Sequence, residues 1–363
     1  MQYGKSALIA MSGGVDSSVA ACLMVRDGYR CVGATMRLYR NSDIGLGQYH
    51  TCCSQKDMDD AGDVAFQLDI PYEILDFTSA FKEQVIEKFI RVYEEGGTPN
   101  PCIDCNRYMK FDKLFAFADQ SNLSYIVTGH YARIRYDAAS GRYVLSKAAD
   151  PDKDQSYVLY MLTQEQLKRI RFPLGEMTKA EVRNIARRQG FCNSQKHDSQ
   201  DICFVPDGDY AGFMERYTGE NYPEGDFLDV SGRVAGRHKG AVRYTIGQRK
   251  GLGIAAGEPL YVLGKNMADN TVTVGRKELL YHTALTASDV NWISIPEPKE
   301  PIRCRAKTRY RQEEQWATVY PESPGRIRVV FDAPQRAVTP GQAVVLYDGG
   351  DVVGGGTICS VEA

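Results

Sequence analysis

Apolar positions in the first half of the chain form short runs of buried-strand type, separated by amphipathic stretches. Ser6 to Met11 reads as a strand apolar on both faces, and Ser17 to Arg26 as the helix behind it. Further strands are expected at Cys31 to Leu38, Tyr72 to Asp76 and Tyr125 to Ile134, with helices at Asp57 to Leu68, Ser79 to Glu94 and Phe111 to Ala118. Strand and helix in alternation predict a doubly wound parallel α/β sheet. Two more helices are expected at Gln155 to Ile170 and Lys179 to Gln189, before the pattern changes between Asp207 and Pro223. From about Gly225 onward, short alternating runs rich in Val, Thr, Gly and Arg, with turn signals such as Thr339-Pro340-Gly341-Gln342, predict an all-β half. The expected organisation is an α/β domain over 1–208, a small, mainly β central domain over 209–281 and a C-terminal β-barrel over 282–363.

Composition narrows this picture in two respects. A chain of 363 residues with 43% hydrophobic content is too apolar for disorder and too long for one typical core. With 44 Lys and Arg against 46 Asp and Glu, any nucleic-acid surface must be a local patch. The apolar run after Met1 is too short for a signal-peptide core, and no other stretch matches a membrane span, so a soluble cytoplasmic protein is expected. In a reducing compartment ten cysteines read as thiols, metal ligands or catalytic groups before a disulfide framework.

Between the first strand and the first helix lies Ser12-Gly13-Gly14-Val15-Asp16-Ser17-Ser18. Glycines let the backbone approach a ligand, serine hydroxyls add donors, and the helix start favours an anion, which together make a phosphate cradle. No Gly-Lys-Ser/Thr follows, so it is not a Walker loop, and it lacks the dinucleotide Gly-x-Gly-x-x-Gly spacing. Asp16 would repel a phosphate unless a cation lay between them, which assigns it to a magnesium ion carried with the nucleotide. The run resembles the PP-loop of the ATP pyrophosphatase superfamily, whose members split ATP into AMP and diphosphate. That superfamily contains amide synthetases as well as RNA sulfurtransferases, so the loop alone selects no substrate.

The cysteines discriminate further. In Pro99-Asn100-Pro101-Cys102-Ile103-Asp104-Cys105-Asn106, proline and asparagine favour a rigid turn, presenting Cys105 just before a helix from Met109 whose start would favour the thiolate. In Lys196-His197-Asp198-Ser199-Gln200-Asp201-Ile202-Cys203-Phe204, Cys203 sits in a polar, loop-like stretch. Both segments resemble the tRNA-specific 2-thiouridylase family. So do Thr128-Gly129-His130-Tyr131, Lys153-Asp154-Gln155-Ser156-Tyr157 and Tyr244-Thr245-Ile246-Gly247-Gln248-Arg249-Lys250-Gly251, in that family's order.

The resemblance implies a sulfurtransferase that uses ATP with magnesium to adenylate the C2 oxygen of the wobble uridine of tRNA. Cys105 matches the nucleophile and Cys203 the persulfide-bearing cysteine. ATP would lie against Ala10, Met11, Ser12, Gly13, Gly14, Val15, Asp16, Ser17, Met36 and Gly129. The anticodon region of tRNA would meet Asn100, Pro101, Cys102, His130, Lys153, Asp154, Gln155, Arg309, Tyr310 and Gln342. A cysteine desulfurase or a sulfur-carrier protein would supply sulfur. The family often has Asp where this chain has Cys102, and the resulting Cys-x-x-Cys leaves an alternative open: Cys102, Cys105 and Cys203 holding an iron–sulfur cluster. A closed zinc site would want a fourth ligand, and no second Cys-x-x-Cys occurs. Other PP-loop enzymes, including a 4-thiouridine synthase or an amide-forming ligase, and a non-enzymatic RNA-binding protein also remain.

Arg303, Arg305, Lys307, Arg309 and Arg311 occupy alternate positions of a strand-like run, which predicts five cations on one face toward an RNA backbone. Arg233, Arg237, His238, Lys239, Arg243, Arg249 and Lys250 form a second basic region. Cys22, Cys31, Cys192, Cys304 and Cys359 read as core-type residues; Cys52 and Cys53 have no assigned role.

Overall fold

A computed structural model of the chain describes residues 4–40, 55–196 and 202–362. The first sheet contains β1 (Ser6–Ala10), β2 (Arg30–Arg37), β3 (Tyr72–Asp76), β4 (Tyr125–Val127) and β7 (Ile170–Arg171), all parallel, in the order β3-β2-β1-β4-β7. Because β2 lies on one side of β1 and β4 on the other, the carboxyl ends of β1 and β4 form the switch point where α/β sheets bind ligands. Helix α1 (Val15–Arg26) follows β1, and α2 (Gln55–Gln67) connects β2 to β3. Leu8, Ile9, Val19 and Ala20 are fully buried, which fits a central strand covered on both faces. The doubly wound sheet is therefore present as expected.

Three expected elements differ. The strand expected over 125–134 is broken: β4 stops at Val127, and β5 (Arg133–Asp137) pairs with β6 (Arg142–Ser146) in another sheet. The break falls at Thr128-Gly129-His130, where the backbone passes against α1; a Cβ at Gly129 would meet the Asp16 carbonyl carbon and Ser17 N at 2.8 Å. The helix expected over 155–170 is a short 3-10 turn at Ser156–Leu159 followed by α5 (Gln164–Arg169). Asp154 accepts bonds from the Ser156 N–H and Oγ and so starts the first turn, while a Thr163–Gln166 capping box starts the second.

The third difference concerns the cysteine segment. Helix α3 runs through Thr78–Phe81, a π-helical Lys82–Ile86 and Glu87–Glu94. Helix α4 begins at Pro101 and continues through Pro101–Asp104, a π-helical Cys105–Lys113 and Leu114–Gln120. Proline at the first helical position needs no N–H partner, so it opens this helix instead of holding a turn. Cys105 accordingly lies in the second turn, and Cys102 takes the place near the helix start.

After α6 (Lys179–Arg188) and α7 (Tyr210–Thr218), a four-stranded sheet of β8 (Gly225–Leu228), β9 (Val234–His238), β10 (Tyr261–Asn266) and β11 (Thr271–Gly275) forms the central β unit. Strands β12 (Tyr281–Trp292), β13 (Ile302–Lys307), β14 (Gln315–Ser323), β15 (Arg326–Arg336), β16 (Ala343–Asp348) and β17 (Asp351–Glu362) make a barrel closed by β12–β17 pairing. The β5–β6 hairpin from the α/β half extends this sheet through Asp351 and Ser146.

Candidate active site

The glycine loop closes on itself at the end of β1. Ser17 Oγ accepts from Ser12 N at 3.1 Å and donates to the Gly14 carbonyl at 3.1 Å, and Ser18 Oγ donates to the same carbonyl at 3.0 Å. Gly13 has φ +70°, and a Cβ there would sit 2.2 Å from the Asp57 carbonyl oxygen, so only glycine fits. Gly14 caps α1 without a side-chain bond, leaving the first helical N–H groups to face the loop. Met11 and Val15 are buried beneath it, and Thr35 Oγ1 donates to the Met11 carbonyl at 2.6 Å. Ala10 ends β1, and Gly129 lies on the far side of the loop.

Asp16 does not stand open for a metal. Lys179 Nζ reaches both its carboxylate oxygens, at 2.7 and 2.8 Å, and Tyr131 Oη donates at 2.8 Å. Asp16, expected to serve magnesium, is ion-paired with Lys179 in this structure. From the other side Asn193 Nδ2 donates to the Gly13 carbonyl at 3.1 Å and to Ser18 Oγ at 2.9 Å. Lys196 Nζ donates to the same carbonyl at 3.1 Å, to Asp60 at 2.9 Å and to Asp57. Burial opposes the Lys196 charge, but its bonds to Asp57 and Asp60 prevail and raise its pKa. Lys179 and Asn193 belong to no motif, Lys196 only opens the Cys203 segment, and the contacts of all three with the loop arise from the packing of α6 and the following turn on it.

Cys105 and Cys203 pack on the same hydrophobic cluster. Both are half-buried against an aromatic cluster that includes Phe81, Phe89, Phe204 and Phe213, and Met36 of β2 packs on it as well. Tyr39 Oη donates to the Cys203 carbonyl at 2.7 Å. Cys102 is exposed. Among the described residues no three His, Cys, Asp or Glu side chains are grouped to hold a metal ion, so the cluster reading lacks its ligand set. His197, Asp198, Cys52 and Cys53 lie outside the described residues. Asp104, between the two helix cysteines, is buried and accepts from Lys88 Nζ at 2.6 Å; burial raises its pKa and Lys88 opposes the rise. Arg107 is paired with Asp289, tying α4 to the barrel.

The segment entering α4 is gripped by both β units. Gln342 Nε2 donates to the Thr98 and Pro99 carbonyls at 2.9 and 3.1 Å, beside Asn100 and Pro101. Arg309 donates to the Ala337 carbonyl at 2.6 Å and to Thr339 Oγ1 at 3.1 Å, and Tyr310 Oη donates to the Asp154 carbonyl at 2.7 Å. Gln155 exchanges two 2.9 Å bonds with the Tyr131 backbone, and Lys153 lies in the turn just before it. His130 is buried, with Nδ1 2.7 Å from Thr128 Oγ1 and Nε2 3.5 Å from Lys110 Nζ; burial, then Lys110, holds its pKa well below the ordinary value.

The alternating basic run is not the single cationic face expected. Strand β13 ends at Lys307, which is buried beside the Tyr157 and Tyr347 rings, and Arg309 turns inward. Only Arg303 and Arg305 share an outer face, both over Trp316, and Arg303 is paired with Asp332. In the second region Arg233, Arg237 and Arg243 pair with Asp229, Asp226 and Glu215 and His238 is buried, while Lys239, Arg249 and Lys250 are exposed.

A glycine loop at the switch point of a parallel sheet, two cysteines packed on one aromatic cluster and two β units holding the entry to the cysteine helix define the class: a PP-loop α/β enzyme with appended β domains. Family models agree over successive segments, matching a tRNA methyl transferase HUP domain at residues 5–207, a tRNA methyl transferase PRC-barrel domain at 211–276 and an aminomethyltransferase β-barrel domain at 282–358. The tRNA-specific 2-thiouridylase MnmA of Acetivibrio thermocellus is 48% identical over 98% of this chain and 99% of its own. That of Moorella thermoacetica is 50% identical over 98% and 99%. The chain belongs to the MnmA family of tRNA-specific 2-thiouridylases, which are tRNA sulfurtransferases.

Proposed function

We propose that this protein converts the wobble uridine of tRNA to 2-thiouridine at the expense of ATP. The observation that carries the reading is the packing of Cys105, Cys203 and Met36 on one aromatic cluster, in a chain related over nearly its full length to MnmA proteins. The C2 carbonyl of uridine is a poor electrophile. Attack of its oxygen on the α-phosphorus of ATP releases diphosphate and leaves AMP on C2 as a good leaving group. The terminal sulfur of a Cys203 persulfide then bonds to C2, and AMP departs with the oxygen. The Cys105 thiolate attacks Cys203 Sγ, the S–S bond breaks toward the base, and 2-thiouridine and a Cys105–Cys203 disulfide result. A thiol reductant and a sulfur donor, a cysteine desulfurase or a carrier, restore the enzyme.

The residues present suit ATP: the start of α1 carries no side-chain cap, and glycine at 13 and 129 lets the loop pack against Asp57 and α1. They offer no bare carboxylate to magnesium at Asp16, whose two oxygens Lys179 holds. Asn100, Pro101, Cys102, His130, Lys153, Asp154, Gln155, Arg309, Tyr310 and Gln342 would frame the anticodon loop, whose unpaired base is cheap to extrude. No helix among the described residues is long and apolar enough to cross a membrane, and a cytoplasmic location fits a tRNA substrate.

The test is anaerobic incubation with ATP, a sulfur donor and unmodified tRNA, reading 2-thiouridine by nucleoside mass spectrometry. Thiolation abolished in both Cys105→Ser and Cys203→Ser is expected. Thiolation surviving in either variant removes the two-cysteine relay.

A further inference from the structure

Lys196 opens the Cys203 segment, far from the glycine loop in sequence, yet its ammonium group lies 3.1 Å from the Gly13 carbonyl of that loop. An ammonium has three N–H donors. Here they reach the Gly13 carbonyl, Asp57 and Asp60. Two carboxylates against one ammonium leave a net negative charge beside a cradle built for an anion, at the N-terminus of a 12-residue helix. A triphosphate entering that cradle meets repulsion from the aspartates unless the lysine turns toward it. A second observation points to a ligand: Asn193 is 3% exposed and donates twice into the loop, yet its Oδ1 has no partner among the described residues. A buried orphan acceptor beside Gly13 marks a network left incomplete without a donor, such as an ammonium released from the aspartates or a ligand hydroxyl.

We infer that Lys196 is a polyphosphate-binding residue, parked on Asp57 and Asp60 in the free enzyme and exchanging one of them for a β- or γ-phosphoryl oxygen when ATP enters. This deepens the ATP-dependent reading and rests on it. The exchange is local: the side chain is about one-third exposed and already touches the loop, so a change of rotamer suffices. It also gives the carboxylates a role, since they compete with ATP for the lysine and weaken the hold on the departing diphosphate.

The experiment measures ATP, diphosphate and AMP binding to the full chain by calorimetry, for wild type, Lys196→Met, Lys196→Arg and Asp60→Asn. Lys196→Met is expected to weaken ATP and diphosphate about tenfold or more while AMP stays within about twofold, because a charge-assisted bond to phosphate is lost. Lys196→Arg should retain most ATP affinity. Asp60→Asn should tighten ATP and leave AMP unchanged. Equal losses of ATP and AMP in Lys196→Met, or no loss, overturn the inference, because a lysine that only holds the loop affects both nucleotides alike. Should Lys196→Met fail to fold, Asp60→Asn decides alone: unchanged or weaker ATP binding overturns it. Wild-type protein that binds neither nucleotide sinks the ATP-dependent reading itself, a distinguishable result.

Discussion

Gln342 and Thr98 stand 244 positions apart in the chain, yet the Gln342 amide nitrogen lies 2.9 Å from the Thr98 carbonyl oxygen. The barrel thereby holds the entry to the cysteine helix, and it does so closely. Gly341, at φ +88°, has no room for a Cβ, which would lie 3.0 Å from the Thr98 oxygen; the Thr98 N–H donates to Pro340 at 2.9 Å. From the central unit Lys265 Nζ points at the Gly97 carbonyl at 3.5 Å. The barrel and the central unit thus both hold the segment that leads into Asn100, Pro101 and Cys102.

Gln342→Ala removes two hydrogen bonds and leaves the Thr98 and Pro99 carbonyls without that donor. A stability loss of about 1–2 kcal/mol is expected. Single-turnover thiolation should slow about tenfold while ATP affinity holds within about twofold, since positioning of the helix is lost and the loop is untouched. Urea titration and rapid quench measure the two effects. Full-speed thiolation in the variant would show that the clamp positions nothing.

How much of this was readable beforehand follows from the range of each interaction. The glycine loop was, because a strand, two glycines and a helix start within seven residues form a local pattern. The parallel sheet and the β half were readable from their periodicities. The break at Gly129 was not, because it comes from contact with Asp16 and Ser17 across the sheet. The helix at Pro101 was misread because proline supports both a turn and a first helical position. The five-cation face failed because alternation was extended beyond Lys307, where the strand ends. Lys179 and Lys196 were invisible: their partners lie 163 and 139 positions away.

Gly129→Ala tests the break in the strand. A methyl group there would sit 2.8 Å from backbone atoms of Asp16 and Ser17, which belong to the start of α1 and cannot rotate away. The loop must shift, and ATP affinity should fall about tenfold or more, with about 1–3 kcal/mol of stability lost to overpacking. Calorimetry with ATP and a filter assay with tRNA separate the effects, tRNA binding being expected to survive. Unchanged ATP affinity would show that the loop tolerates displacement.

His130 sets a dependence on pH. Burial, aided by Lys110, depresses its pKa well below 6.5, so the folded protein keeps it neutral. The unfolded chain takes up that proton as pH falls through about 6.5 and the folded chain does not, so unfolding is favoured on the acid side. The contribution is full above that pH and declines below it, by up to about 1.4 kcal/mol per pH unit, until the folded pKa is reached. Urea midpoints at pH 7, 6 and 5 should therefore fall more steeply for wild type than for His130→Asn. Parallel slopes would mean that the folded protein protonates His130 readily.

The Asp16–Lys179 pair bears on the metal question. Lys179 is nearly buried, with 12% of its side chain exposed, and Asp16 is at 31%, so neither charge is well solvated when alone. Lys179→Met leaves Asp16 with Tyr131 only and should cost about 2–4 kcal/mol, because a partly buried carboxylate loses its counter-charge beside an anion site. Asp16→Asn combined with Lys179→Met should recover part of that loss, since the amide accepts from Tyr131 without a charge to neutralise. If Asp16 instead served magnesium in the ATP complex, Asp16→Asn would abolish the magnesium dependence of ATP affinity. The ion pair predicts that this dependence persists in Asp16→Asn. Magnesium titrations of ATP binding in the four proteins of the double-mutant cycle decide between the two, and the coupling energy from their unfolding curves, about 1–3 kcal/mol if the pair is intact, measures the interaction directly.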